Sequence, residues 1–390
     1  MSFWPSALFV WIAATSLAWV AIAIFALRRL THTPSLDDWV GPPPDHWPKV
    51  SIIVPACNEQ DSLEPAMRSL LELDYPNLEI ILVEDRSTDR TPEIADRLAA
   101  EQPRLRVVHI DELPDGWLGK VHALHRGVQL ADGDWYLFTD ADIRYRDDAL
   151  RRAIRAALHQ EADQLSLIPQ MHTTGFWHGA AVDVFVAGVV TLMSGQPDQS
   201  SGDFVGIGAF NMVRASTFDA TEGFEWLRME IADDAAVGLM MNRHGAHSMI
   251  GLALDDLEMD AYGSLGGAIR GLEKNGFPIV GGFSYLRVLA ILAATLLVSL
   301  GTFAGLALPA LGAWPFSLAA LAALVLYAHR VSRKMDRSVW TFLVLPAAHW
   351  LLTWATLRSA LLCALRGGIE WRGTLYPTEQ LEQNRRVDIL

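Results

Sequence analysis

The stretch Trp135-Tyr136-Leu137-Phe138-Thr139-Asp140-Ala141-Asp142 decides how this chain is read. Its apolar run reads as a buried strand, and the strand delivers two carboxylates to its exit. Close like charges repel, so the arrangement is costly unless a bound divalent cation offsets it. Mg²⁺ or Mn²⁺ held by one or two carboxylates suits a diphosphate ligand. An Asp-x-Asp alone is weak, because acidic turns produce it often. Here Glu84 and Asp85 follow an earlier apolar run, and Asp233 and Asp234 form a third acidic pair.

Working outward, the region from Lys49 to about Gly276 alternates short β-rich runs with helical periodicity, the signature of a sheet covered by helices. Val50 to Pro55, Leu78 to Val83, Arg106 to Ile110 and Trp135 to Thr139 are the expected strands. Ser62 is placed to cap a helix whose Leu63, Met67, Leu70 and Leu71 share one face. Thr91-Pro92-Glu93 starts another, with a hydroxyl cap, a proline in the first turn and an early acid. Val121, Leu124 and Val128 stripe a third. In open α/β sheets ligands sit beyond the carboxyl ends of the strands. That rule gathers Asn58 and Glu59, Glu84 and Asp85, and Asp140 and Asp142 into one cleft.

The chain has 390 residues and a formal charge of -14, which argues against nucleic acid as a partner. Half of it is hydrophobic, and the apolar residues collect at both ends. Pro5 to Leu27 is long enough to span a bilayer; with Arg28 and Arg29 directly behind it, it reads as an uncleaved anchor. Leu286 to Pro309 is a second span and Trp314 to Tyr327 a shorter third. The cluster His329, Arg330, Arg333, Lys334 and Arg337 is expected on the cytosolic side. Val339 to Leu365, which contains Pro346, is either a kinked span or a re-entrant hairpin, and three C-terminal spans are the default count. Cys57 and Cys363 read as small hydrophobes, consistent with a catalytic part in a reducing cytosol. His172, His178, His244 and His247 show no metal-ligand spacing. The expected organisation is a transmembrane anchor over 1–29, a linker over 30–48, an α/β domain over 49–276, a transmembrane region over 277–365 and a tail over 366–390.

The constellation Val54-Pro55-Ala56-Cys57-Asn58-Glu59, Val83-Glu84-Asp85-Arg86-Ser87-Thr88-Asp89-Arg90-Thr91, Gly119-Lys120 and Thr139-Asp140-Ala141-Asp142 resembles family 2 glycosyltransferases. The resemblance implies a GT-A fold, a Rossmann-like nucleotide-sugar-binding domain, here flanked by transmembrane helices. The flanks resemble the branch that glycosylates lipids, such as ceramide glucosyltransferases and the hopanoid- or carotenoid-associated enzymes. Trp371-Arg372-Gly373-x-x-Tyr376 is similar to an element near the end of those proteins. By resemblance, Pro55, Ala56 and Glu59 shape a nucleoside pocket and Asp85 accepts a hydrogen bond from a uracil ring. Lys120, behind Gly119 at a helix start, would face the diphosphate. Trp117 packs either on the donor or on the core. Asp142 would be the direct metal ligand, and Asp140 would contact the ribose or the metal's water shell. Asp234 matches the general base, supported by Asp233, with Val237 where the family pattern has Leu. Gly206 to Asn211 resembles the stretch lining the acceptor pocket.

The chain departs from many relatives in one respect: Tyr262 to Leu272 contains no Gln/Arg-x-x-Arg-Trp motif, which speaks against polymer synthesis. Arg270 would supply either a diphosphate contact or a membrane-surface charge. The implied reaction is an inverting, metal-dependent transfer from a nucleotide-sugar donor, UDP-hexose first, to the hydroxyl of a membrane lipid. Phe176 to Met193 would form part of the lipid's way in. The protein is expected in the cell (inner) membrane, multi-pass, with its catalytic domain cytoplasmic. Two rival readings are a sugar transferase acting on polyprenyl phosphate, which needs no base, and a silent GT-A domain serving as a membrane scaffold.

Overall fold

The computed structural model describes residues 3–193 and 206–388; positions 1–2 of the expected anchor, 194–205 of the expected α/β domain and 389–390 of the expected tail lie outside the described residues. The chain opens with α1 (Phe3–His32). It continues through β1 (Val50–Ala56), α2 (Leu63–Leu71), β2 (Leu78–Asp85), α3 (Thr91–Glu101), β3 (Leu105–Ile110), α4 (Gly119–Val128) and β4 (Trp135–Phe138). Next come β5 (Arg144–Tyr145), α5 (Ala149–His159), β6 (Gln164–His172), α6 (Phe176–Met193), β7 (Asn211–Arg214), α7 (Ala215–Phe218), α8 (Asp233–Arg243) and β8 (Ser248–Asp260). The last part holds α9 (Leu265–Asn275), α10 (Tyr285–Ala307), α11 (Trp314–Lys334), α12 (Val339–Leu343), α13 (Leu345–Arg366), β9 (Gly368–Trp371), β10 (Thr374–Pro377) and α14 (Thr378–Gln383).

By compactness these elements form two units, one of residues 1–32, 173–194 and 261–366, the other of 33–172, 195–260 and 367–390. The division differs from the one expected over 49–276 and 366–390. Residues 173–194 and 261–276 group with the long apolar helices, and the tail groups with the sheet. The reason 261–276 joins the helices is visible on α9, where Glu273 pairs with Arg358 and, at 3.1 Å, with Arg366 of α13.

Among the described residues the sheet unit is built on eight strands in the order β3-β2-β1-β4-β7-β6-β8-β5. β1, β2, β3 and β4 run parallel, β7 is antiparallel to both β4 and β6, and β8 returns parallel to β6. Strands buried on both faces need continuous apolar runs. Ile52, Val54, Ile80, Leu82 and Leu137 meet that need and are fully buried. The strand order reverses at β1, which has β2 on one side and β4 on the other, so a crevice opens between the carboxyl ends of β1 and β4.

Two helix starts differ from expectation in how they are made. Ser62 does not cap α2; its hydroxyl donates to the Glu59 carboxylate at 2.7 Å. Thr91 lies inside α3 rather than before it, and its hydroxyl accepts from the Glu59 N–H at 2.8 Å. A short hydroxyl can serve its own helix or a neighbouring loop. Both serve the loop that carries Glu59.

Among the described residues of the helical unit, three helices are long and apolar enough to cross a membrane: Pro5–His32, Tyr285–Ala307 and Trp314–Lys334. α1 and α10 meet through small residues, as helices do where lipid supplies no hydrophobic drive. The Ser16 hydroxyl donates to the Thr302 carbonyl at 3.1 Å, and a side chain on Gly301 would run into Thr15 and Trp11. Two of these helices are C-terminal, beside the default expectation of three C-terminal spans. The 339–365 stretch breaks at Val344 into α12 and α13, and α13 buries Thr353, Thr356 and Ser359, which lower its apolar character. Pro346 stands in the first turn of α13, where its missing N–H costs nothing, so it starts a helix rather than kinking one. α11 also runs past Tyr327 and takes in most of the basic cluster. α6 carries a fully buried Asp183 that pairs with Arg337.

Candidate active site

The crevice beside β1 is lined by Pro55, Lys120, Thr139, Asp140, Gly208, Asn211, Phe224, Asp233 and Asp234, with Leu124, Phe138 and Val237 at its base. Each polar group arrives from a different element. β4 ends at Phe138, and the Thr139 hydroxyl then locks to the Ala209 carbonyl at 2.7 Å, which leaves Asp140 at the mouth. The Asp140 N–H donates to the Gly208 carbonyl at 3.2 Å. α4 begins at Gly119 and presents Lys120 in its first turn; α8 begins at Asp233 and presents the acidic pair. Carboxylates in the first turn of a helix are favoured by its free N–H groups.

One ammonium holds these acids together. Lys120 Nζ lies 2.8 Å from Asp140 Oδ1 and 3.2 Å from Asp233 Oδ2. Burial alone would lower the Lys120 pKa, but Asp140, Asp233 and Asp234 outweigh it and raise it well above the ordinary lysine range. Lys120 is therefore a fixed positive charge. Asp234 accepts from the Gly208 N–H at 2.9 Å through Oδ2 and from the Ala235 N–H at 2.8 Å through Oδ1. Burial, and then Asp233, push the Asp234 carboxyl up against the pull of Lys120. Gly208 is the point of convergence: a Cβ there would stand 2.9 Å from Asp140 Oδ2, 3.4 Å from Lys120 Nζ and 3.5 Å from Asp234 Oδ2. At Gly206 a Cβ would overlap the Asp234 backbone carbonyl.

Asp142, two residues beyond Asp140, has a buried Oδ1 with no hydrogen-bond partner. Burial, with Asp140 and Glu59 adding like charge, pushes its carboxyl up to about 7. An orphaned buried carboxylate oxygen beside a second acid fits a hard cation, with the remaining ligands left to a phosphate-bearing substrate. Among the described residues no group of three or more His, Cys, Asp or Glu side chains is poised to hold a metal by itself. The expected ligands Asp142 and Asp140 are two acids, fewer than such a group needs.

The other expected residues divide. Pro55 lines the crevice, while Ala56, 2% exposed, packs into the core of the sheet. Asp85 is buried and pairs with Arg86 at 2.8 Å, and a Cβ on Gly119 would overlap its carboxylate. Glu84 turns away, accepting from the Ser87 N–H at 2.6 Å and bonding the His109 ring at 3.0 Å. Glu59 pairs with Arg372. Arg144 and Arg146, the nearby cations, are taken by Glu258 and Asp260 and by Asp148 and Asp256, which leaves Asp140 to Lys120. Trp117 stacks against His125 at 4.9 Å and under Arg228 at 5.0 Å, so it packs on the protein. Arg270 lies on α9 of the helical unit. Gly208 and Asn211, from the stretch expected to line the acceptor pocket, both line the crevice, whereas Phe224 was missed, because an aromatic in a short turn carries no signal of its own.

Residues 51–220 match the Glycosyl transferase family 2 description. The chain carries a family 2 glycosyltransferase domain. It is 30% identical over 251 residues to a beta-monoglucosyldiacylglycerol synthase of Synechocystis sp., covering 60% of this chain and 50% of that protein. It is 26% identical over 197 residues to a 4,4'-diaponeurosporenoate glycosyltransferase of Staphylococcus haemolyticus, covering 50% of this chain and 52% of that protein. The chain thus spans about half the length of these curated relatives. A solved mannosyltransferase from Pyrobaculum calidifontis, in complex with GDP-Man and Mn²⁺, superposes with a TM-score of 0.54 at 21% identity, over 91% of this chain and 99% of that one. That likeness establishes the GT-A fold of the family 2 domain.

Asp142 gives a stability test. The folded chain keeps a proton on it that the unfolded chain releases from about pH 4. Stability contributed by this group therefore falls as pH rises toward about 7. In Asp142→Asn without added cation the fall should flatten, with a melting temperature at pH 8 about 2 °C or more above the parent. Thermal unfolding across pH 5 to 8, roughly bracketing the shifted value, checks it. A parent curve as flat as the variant's would refute the assignment.

Proposed function

We propose that this chain is a metal-dependent, inverting glycosyltransferase that moves a hexose from a nucleotide-diphosphate donor, UDP-hexose first, to the hydroxyl of a membrane lipid. The observation that carries the reading is the Lys120 ammonium bound between Asp140 and Asp233, with Asp234 beside it, in a crevice at the sheet's switch point. Support for the lipid acceptor comes from the names of the two curated relatives and from the three helices of membrane-spanning length. In this reading the protein is a multi-pass membrane protein with its sheet unit in the cytoplasm, and α6 contributes to the lipid's approach.

Asp142 and Asp140 would hold Mg²⁺ or Mn²⁺, which when bound acts as a Lewis acid on the diphosphate. The protein's own groups do the rest. Lys120, permanently charged, offsets the negative charge that grows on the departing nucleotide diphosphate. Asp85 and Glu59 receive the nucleoside, and Pro55 walls its pocket. Asp234 takes the proton of the lipid hydroxyl as the oxygen attacks the anomeric carbon and the bond to the diphosphate breaks on the opposite face. The Gly208 N–H fixes the orientation of the Asp234 carboxylate, and Asp233 keeps Lys120 in place.

Asp234→Asn should lower turnover by about 10²–10⁴-fold while donor binding persists. Near-normal turnover would instead favour a polyprenyl phosphate acceptor, already ionised. Because the carboxyl is pushed up in the folded protein and acts as a base, the rate should climb with pH through its raised pKa. The assay is hexose transfer to membrane lipid extracts with UDP- and GDP-hexoses, read by mass spectrometry. Chelation of divalent ions should abolish donor binding, and Mn²⁺ should restore it.

Gly208→Ala places a methyl among Asp140, Lys120 and Asp234. Overpacking of this kind should cut turnover by about tenfold or more and lower the melting temperature by only a few degrees. Unchanged kinetics in that variant would place the reaction elsewhere.

A further inference from the structure

The C-terminal hairpin touches Asn58, Glu59 and Gly119, which neighbour crevice residues in the chain, and nothing in the reaction above uses it. β9 and β10 pair antiparallel with Trp371 opposite Thr374, which leaves Arg372 and Gly373 as a two-residue turn. Both have positive φ, 49° and 82°, the combination of a type I′ turn. Asparagine or glycine would sit at the first position at less cost than arginine. What arginine gains there is reach: its guanidinium pairs with the Glu59 carboxylate and donates to the Asn58 carbonyl at 3.1 Å. Four residues on, the buried Tyr376 hydroxyl accepts from the Gly119 N–H at 3.2 Å, at the amino end of α4 beside Lys120. The same tail reaches the other wall, where Glu230, just ahead of the Asp233–Asp234 pair, accepts from the Val387 N–H at 3.2 Å. Arg386 covers Trp226 at 5.2 Å.

We propose that the β9–β10 hairpin belongs to the donor subsite, with Arg372 and Tyr376 as positioning residues that hold Glu59 and the amino end of α4 where the nucleoside diphosphate binds. The inference rests on the glycosyl-transfer reading and extends it to residues far along the chain. Its physical basis is charge. Glu59, Asp85, Asp140 and Asp142 crowd the exits of β1, β2 and β4, and an approaching diphosphate would meet four acids. Arg86 neutralises Asp85 and Arg372 neutralises Glu59. That leaves Lys120 and a divalent cation for the phosphates. Tyr376 fixes the first N–H of α4, so the Gly119-Lys120 step keeps its place against Asp85.

The test uses the full-length protein in detergent, with Arg372→Ala, Arg372→Lys and Tyr376→Phe. UDP and GDP, each with Mn²⁺, are titrated by calorimetry, and KM is measured separately for donor and lipid acceptor. Loss of a charge-assisted hydrogen bond should weaken nucleotide binding and raise donor KM about tenfold in Arg372→Ala. Acceptor KM should stay within about twofold. Arg372→Lys keeps the charge but loses the fork to Asn58 and Glu59, so it should recover part of the affinity. Tyr376→Phe should raise donor KM alone. The inference is overturned if nucleotide affinity in Arg372→Ala equals the parent's, or if both KM values rise together without lysine rescue. A parent protein that neither binds nucleotide nor transfers sugar removes the transferase reading itself, and the hairpin's role with it.

Discussion

Everything in the crevice depends on one half-buried ammonium facing three carboxylates. Without Lys120, Asp140, Asp233 and Asp234 would repel one another across a few ångströms of poorly screened space. The lysine is itself expensive to bury, and only the acids make its charge tolerable. This mutual dependence explains the surrounding backbone. α4 must start where Lys120 can reach β4, and α8 must start where its first turn faces the same point. The 206–208 stretch must pass close enough for Gly208 to touch both Asp140 and Asp234. Gly206 and Gly208 have no side chains because backbone and carboxylates already fill those places.

Asp142 stands outside this balance and shows what it leaves undone. Its buried oxygen has no donor, and its carboxyl holds its proton up to about neutral pH. A cation would supply what neither Lys120 nor the arginines of the neighbouring loops provide, since those arginines are committed to Glu258, Asp260, Asp148 and Asp256. The helical unit solves a different problem. There close approach comes from Gly301 against Thr15, and Asp183 is matched by Arg337.

The strands β1 to β4 were legible because buried parallel strands need unbroken apolar runs, and these runs are bounded by turn residues. The acids at their exits were legible through the rule that strand ends gather ligands. Finer contacts were not. Ser62 and Thr91 look like caps, yet both bind Glu59, because a hydroxyl has several partners of similar energy within reach. Glu84 and Asp85 are neighbours in sequence and, by the alternation of a strand, turn to opposite sides: one toward His109, the other toward Gly119. The 339–365 stretch reads from sequence as a kinked span or a re-entrant hairpin; its break at Val344 and its buried Thr353, Thr356 and Ser359 are visible only once their neighbours are placed.

Local sequence determined the elements, the acids at the exits of β1, β2 and β4, and the residue types suited to cation and phosphate. These follow from periodicity and charge, which act over a few residues. Tertiary structure decided which acids share Lys120, that Asp142 is left with an orphaned oxygen, and that a hairpin more than 300 residues beyond Glu59 neutralises it. Such pairings depend on distances between elements far apart in the chain. Those distances are fixed by packing, to which no single segment holds the key.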